Sequence, residues 1–277
     1  VPGRRVRALA GALALAALAA GCGSSSEPEV GAVGVVTEDT QITRPIDAYL
    51  PSADDLVRLW EVRGAAAAAC YAEHGTANRE NVPAGLRDRL RVLRAEDRTR
   101  TRLYGFFSPG TARQDGYGAA SGSGGAMEVS APYAAPDVVQ TCEKAGSTAI
   151  GNLNLVTDER ILPDGGPTAA VADRRVVDAG EKWSACMAQA GHPYRRPIDP
   201  LLDPKWQRPI STADGTRPPP TPAEIDTATA DVRCKVETNL VGVAVAVQAA
   251  YDKQYIESRV DQLDAFKRRL QDYTRNH

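Results

Sequence analysis

Five cysteines carry most of the reactive chemistry in this 277-residue chain: Cys22, Cys70, Cys142, Cys186 and Cys234. A thiol can pair by oxidation, hold a metal, attack a substrate or take an acyl group, and spacing separates these uses. No two of the five stand in a Cys-x-x-Cys arrangement, and His74, His192 and His277 are the only histidines that could complete a zinc set. Cys70 and His74 share a helix face at i and i+4, a bare pair of ligands for which disulfide use of Cys70 competes. The four later cysteines form an even set, which in an exported chain reads as two disulfides with three pairings open. The sequence holds no HExxH, GxSxG or P-loop pattern and no GxGxxG after a strand, so no catalytic residue, metal or cofactor is assigned. "SGSGG" at 121–125 reads as flexible loop, since no helix start follows it to bind an anion. His74 falls at a helix C-terminus, where an imidazolium suits the dipole. His192, between Gly191 and Pro193, reads as a turn residue.

Cys22 has a different setting. The chain opens "VPGRRVR", three cations without an acid, and continues in Ala, Leu and Gly from Ala8 to Ala20. A basic start, a short apolar run and small residues describe a secretory signal. The run is too short to span a bilayer, which takes about 20 apolar residues. The segment Leu18-Ala19-Ala20-Gly21-Cys22 resembles the lipobox of bacterial lipoproteins, with Ala20 and Gly21 at the small positions and Ala19 where that motif usually has Leu. The resemblance implies cleavage before Cys22, diacylglyceryl modification of its thiol and acylation of the new N-terminus by a fatty acid such as palmitate. Residues 1–21 are then signal peptide, 22–44 a lipidated cysteine with a Gly/Ser/Pro-rich flexible tether, and 45–277 a single mainly helical domain. The expected location is the extracytoplasmic face of the cell membrane.

Removing Arg4, Arg5 and Arg7 from the 33 Lys and Arg leaves the remainder five short of the 35 Asp and Glu. A mature chain near −5 argues against nucleic acid or anionic lipid as a bulk partner.

The elements that must position the cysteines are helices. Ser52 is an N-cap with Asp55 three residues on, and the helix it opens runs through Ala-rich Cys70 to a stop at Gly75. A second, Arg-laced helix is expected from about Ala84 to Leu103, then a low-complexity loop. A third, about Pro136 to Asn152, carries Cys142, and a fourth, carrying Trp183 and Cys186, ends at Gly191. Trp183 is expected to pack on a disulfide. The Pro-rich stretch from Gly191 to Thr221 holds the best surface candidates, Tyr194, Arg195, Arg196 and Trp206. Thr221 caps the last helix, Pro222 sits at N1 and Glu224 completes a capping box. Nothing but Gly242 interrupts the pattern from Ala223 to His277. A helix of about 50 residues would reach roughly 75 Å. Ile256, Val260, Leu263, Phe266, Leu270 and Tyr273 form one apolar stripe on it. A helix that long should outrun the body and offer that stripe to a partner, with closure of the core the competing role. The fold class is mainly α: an irregular helical bundle with long loops, two disulfides and a long C-terminal helix.

Two helix ends look alike, "ACYAEHG" at 69–75 and "ACMAQAG" at 185–191, each with cysteine five residues before a stop glycine. Each is followed by a second cysteine in an Asp-Val context, "PDVVQTC" and "ADVRC". If the halves correspond, the bridges are Cys70–Cys142 and Cys186–Cys234. The stretches "RLYGFFSPGTARQDGY", "WSACMAQAGHPY" and "ADVRC" together resemble a family of uncharacterised actinobacterial lipoproteins, which share a Trp-x-x-Cys-Met helix with a closing glycine. The resemblance implies export and lipidation and brings no activity.

The expected function is a non-enzymatic interaction or accessory module of the cell envelope, anchored by lipid and meeting an envelope protein partner. The alternatives are a ligand-binding lipoprotein of the solute-capture kind, which needs α/β lobes, and a cell-wall hydrolase, which needs two close carboxylates in a pocket.

Overall fold

The structure is a computed structural model of the whole chain; it describes residues 27–37, 40, 42–76, 105, 107–118, 134–153, 155, 161–206, 208 and 218–275. The expected signal segment, Cys22, the expected helix from Ala84 to Leu103, the 121–125 run and His277 lie outside the described residues.

The first helix, α1 (Ala53–Glu73), starts where expected. Ser52 Oγ accepts from the Asp55 amide at 3.0 Å and Asp55 Oδ2 accepts from the Ser52 amide at 2.9 Å, satisfying two donors the helix cannot. It ends at Gly75, with φ +70°, where the Thr76 amide reaches back to the Tyr71 carbonyl at 2.9 Å. A short α2 (Pro109–Asp115) follows, capped by Ser108 with Pro109 at its first position. Then come α3 (Pro136–Ala149), α4 (Arg174–Gln189), the single turn α5 (Asp199–Leu202), α6 (Pro222–Glu237) and α7 (Leu240–Arg275). No strand occurs among the described residues, and no helix among them is long and apolar enough to cross a membrane.

The two helix ends that looked alike close in the same way. At α4 the His192 amide reaches the Met187 carbonyl at 2.9 Å over Gly191, with φ +87°, which repeats the geometry at Gly75. Cys70 is bridged to Cys142 and Cys186 to Cys234, with Cα separations of 5.3 and 5.7 Å. Each bridge ties the last turns of one helix to a later helix, α1 to α3 and α4 to α6. The α1–α3 crossing is close enough that a Cβ on Gly146 would lie 2.8 Å from the Arg63 carbonyl oxygen.

The single helix expected from Ala223 onward is two helices. Asn239 has φ +48° and separates α6 from α7. Asparagine tolerates this left-handed conformation because its short amide bonds locally. The capping box is also only half formed. Thr221 Oγ1 accepts from the Glu224 amide at 3.2 Å, but the Glu224 carboxylate turns inward to Arg208 and the Tyr117 amide. At 36 residues, α7 is about 54 Å long, shorter than expected, and its backbone is distorted at Arg259 (φ −140°, ψ 20°).

The last helix is the spine of the molecule. Its start, with Leu240, Ala244 and Val247, packs on Trp183 and Met187 of α4 and Cys234 of α6. Its second half, with Tyr255, Leu263, Phe266 and Leu270, packs on Leu56, Leu59 and Val62 of α1 and on Ile46, Ile150, Ile161 and Leu162. A smaller cluster joins Ala112, Tyr117, Trp206, Ala228 and Val232.

The tether assignment needs correction. From Glu27 on, the described residues of the N-terminal segment are laid along the body as a strap. Glu27 accepts from the Arg174 amide at 2.9 Å, and the Asn239 side chain clasps Gly34 and Val36 through their backbones at 3.0 and 3.4 Å. Val36 and Ile42 are buried with Phe107 and Val241. Composition missed this because Gly, Thr and Glu are polar in aggregate, while the apolar residues between them find a groove supplied by distant parts of the chain.

Candidate functional site

Of the six stripe residues offered as a docking face, Leu263, Phe266 and Leu270 are buried, and Ile256 and Tyr273 pack against the same core. Only Val260, 45 % exposed, faces solvent. The stripe is the inner wall of the first core, because α1 covers it together with Ile150, Leu153, Leu155, Ile161 and Leu162. The exposed strip expected from helix length does not form.

Trp206, expected at the surface, is also a core residue, lying over Tyr117 with ring centres 6.3 Å apart. Tyr194 is half-buried. Its hydroxyl donates to Asp203 at 2.7 Å, and Lys205 pairs with Asp203 at 3.1 Å while covering the Tyr194 and Trp206 rings at 5.1 and 4.3 Å. Burial raises the Tyr194 phenol above its ordinary range. Burial also pushes Asp203 up, but the hydrogen bonds from Tyr194 and Lys205 outweigh it and leave the carboxyl low. Lys205 is the exposed member of this group. Arg195 and Arg196 are exposed too, Arg196 on an Asp199 pair at 2.6 Å.

The polar groups that spacing did not single out lie deeper. Asp231 is sealed between α4, α6 and Tyr117. It accepts from Lys235 Nζ at 2.9 Å, Trp183 Nε1 at 2.9 Å and the Tyr117 hydroxyl at 3.4 Å. Burial raises its pKa, opposed by the Lys235 charge and these donors. Burial first, and then the Asp231 charge, put the Tyr117 phenol far above its usual range, so it acts as a donor. Trp183 lies in the same core cluster as Cys234, against which Cys186 packs, and its indole N–H serves Asp231. Two turns back on α6, Glu224 meets Arg208 at 2.9 Å. His192 links the end of α4 to α6 through Thr227 Oγ1 at 3.2 Å and Asp226 Oδ2 at 3.1 Å. The spacing of Asp231 and Lys235, i and i+4 on one helix, was the signal for this cluster.

A second buried network holds the strap. Arg44 donates to Asp252 through Nε at 2.9 Å and Nη2 at 2.6 Å, and Gln248 bonds both Asp252 and the 168–170 backbone. The buried carboxylates of Asp231, Glu224 and Asp252 therefore each meet a cation. Such sites join elements and orient them; at Asp231 and Asp252 the donors already in place occupy both oxygens that general-acid or general-base chemistry would use.

Cys70, His74 and Cys142, and likewise Cys186, Cys234 and Glu237, bring ligand atoms within 4.8 Å of one another. Both sulfurs of each set are committed to a disulfide, so neither set offers the thiolates a zinc ion binds. No family model, curated protein or solved structure matches the chain.

Proposed function

We propose that the chain is an exported bacterial lipoprotein, anchored by Cys22 to the outer face of the cell membrane, and that its helical body is a non-catalytic interaction or accessory module of the envelope. The observation that carries this reading is the pair of disulfides, which persist in oxidising compartments. It agrees with the signal and lipobox pattern that ends at Cys22. The pairing of the buried carboxylates with cations supports an architectural use of the polar interior over a hydrolytic one. The solute-capture alternative calls for α/β lobes, and the described residues form helices without strands.

Replacing Cys22→Ala tests the anchor. Fatty-acid labelling should vanish and the protein should leave the membrane fraction. Labelling and retention equal to the parent protein would refute it. In vivo crosslinking from Arg195, Arg196 and Lys205, exposed cations among the described residues of the Pro-rich loop, tests the module. A discrete crosslinked envelope protein is expected, and cell-wall hydrolysis by the purified chain would count against the reading.

A further inference from the structure

The strap fixes how the body faces the membrane. Glu27 is the first described residue, and it is already docked on the amide of Arg174 at the start of α4, while Pro28 accepts from Arg175 Nη1 at 3.0 Å. Five peptide steps separate Cys22 from Glu27. Fully extended, they span at most about 18 Å. A diacylated Cys22 sits at the lipid headgroups, so the start of α4 must lie within that reach of the bilayer. This part of the argument rests on the lipidation proposed above.

A separate observation singles out the same place. Val171, just before α4, and Val177, in its second turn, are 55 % and 44 % exposed. With Val33 and Val35 on the strap, they make four of the six large aliphatic residues exposed among the described residues. Arg174, also exposed, lies between them in sequence. Isolated exposed valines are ordinary, but Val171 and Val177 flank in sequence the residue, Arg174, whose amide is the strap's first docking point. A cation among short apolar side chains matches a lipid interface, where the guanidinium meets phosphate and the methyl groups enter the acyl boundary.

We infer that the patch formed by Val171, Arg174 and Val177 rests on the phospholipid surface, so that the body is held in one orientation against the membrane and does not swing on a tether. With Cys22 acylated and the other four cysteines bridged, a cysteine introduced at Val171 or Val177 supplies a free thiol for a nitroxide label. Gln189, exposed at the other end of α4 and about 22 Å along it, is the reference position. The labelled, full-length lipoprotein is placed in phosphatidylethanolamine–phosphatidylglycerol vesicles, and collisions with oxygen and with a water-soluble nickel chelate are compared. Labels at 171 and 177 should lose several-fold in nickel collisions relative to the same labels on Cys22→Ala protein, and gain in oxygen collisions, while Gln189 changes little. Unchanged collisions at 171 and 177, with mass spectrometry showing intact acyl groups, would overturn the orientation and leave the anchor standing. Absence of acyl groups on Cys22 would overturn the anchor and the orientation together. Labels open to water in vesicles but shielded on intact cells would assign the patch to a protein, also against the proposal.

Discussion

Arg44 and Asp252 stand 208 positions apart in sequence and form a two-pronged ion pair, with both side chains all but sealed from solvent. The pair clamps the strap to the middle of α7. Replacing Arg44→Met strands the Asp252 charge in the interior, which costs about 3–5 kcal/mol. The double change Arg44→Met with Asp252→Leu should recover much of that loss, because two apolar groups need no partner. Urea unfolding of the three variants measures both effects, and a single variant as stable as the parent would contradict the clamp.

Asn239 serves as turn and clasp at once, and two substitutions separate the roles. Asn239→Gly keeps the left-handed turn but drops the bonds to Gly34 and Val36, so the strap should become more open to protease with little change in global stability. Asn239→Ala loses the clasp and also strains the turn, by roughly 1–2 kcal/mol. Equal midpoints for the two variants would show that the turn is not set by this residue.

Each disulfide closes a long loop, with its cysteines 72 and 48 residues apart. On the chain-entropy model each contributes about 4 kcal/mol. Replacing Cys70 and Cys142 together by Ala should lower the thermal midpoint markedly, and replacing Cys186 and Cys234 should do so by a similar amount. Non-reducing peptide mapping should yield the linked pairs Cys70–Cys142 and Cys186–Cys234 alone.

The stripe on α7 now predicts loss of folding. Leu263→Glu puts a carboxylate among Leu56, Leu59 and Phe266, and circular dichroism should show a chain that no longer melts cooperatively. Val260→Glu, on the exposed side of the same helix, should be neutral to within about 0.5 kcal/mol.

Asp173 gives a pH dependence. Hydrogen bonds from Arg175, the largest influence, with that residue's charge and the Tyr251 hydroxyl in addition, outweigh burial and hold the Asp173 carboxyl below its ordinary value. A folded pKa below the unfolded one means the native state binds its proton less tightly. The stabilisation is therefore complete above about pH 4, near the unfolded carboxyl, and is lost as pH falls through the depressed folded value. Asp173→Asn keeps an acceptor for the Arg175 amide and removes that dependence. The gap in urea midpoint between parent and variant should be full at pH 6 and shrink below pH 4.

The helix borders were legible because their causes are local. Ser52 with Asp55, Gly75, Gly191 and Thr221 act through bonds that span three to five residues, and a reader of the sequence holds both ends of such a bond. The disulfide pairing was legible for the same reason, since the two cysteine-to-glycine spacings repeat a local geometry. The capping role of Glu224 was misread, since its carboxylate had a stronger offer from Arg208 across the fold.

The sequence by itself determined a helical chain and its stops at Gly75 and Gly191, and through the repeated helix ends it favoured one of three disulfide pairings. Tertiary structure alone decided which way the Ile256–Tyr273 stripe would face, that Trp206 would be covered, and that the residues after Glu27 would be strap and not tether. An apolar stripe is equally stable against the chain's own core or a partner until the competing surfaces are in place. Here α1 covers the stripe, held in place by its bridge to α3 and by the contacts of Leu56 and Leu59. Likewise, Arg44 could be a solvated cation or a buried clamp, and only the position of Asp252, 208 residues away, makes it the second.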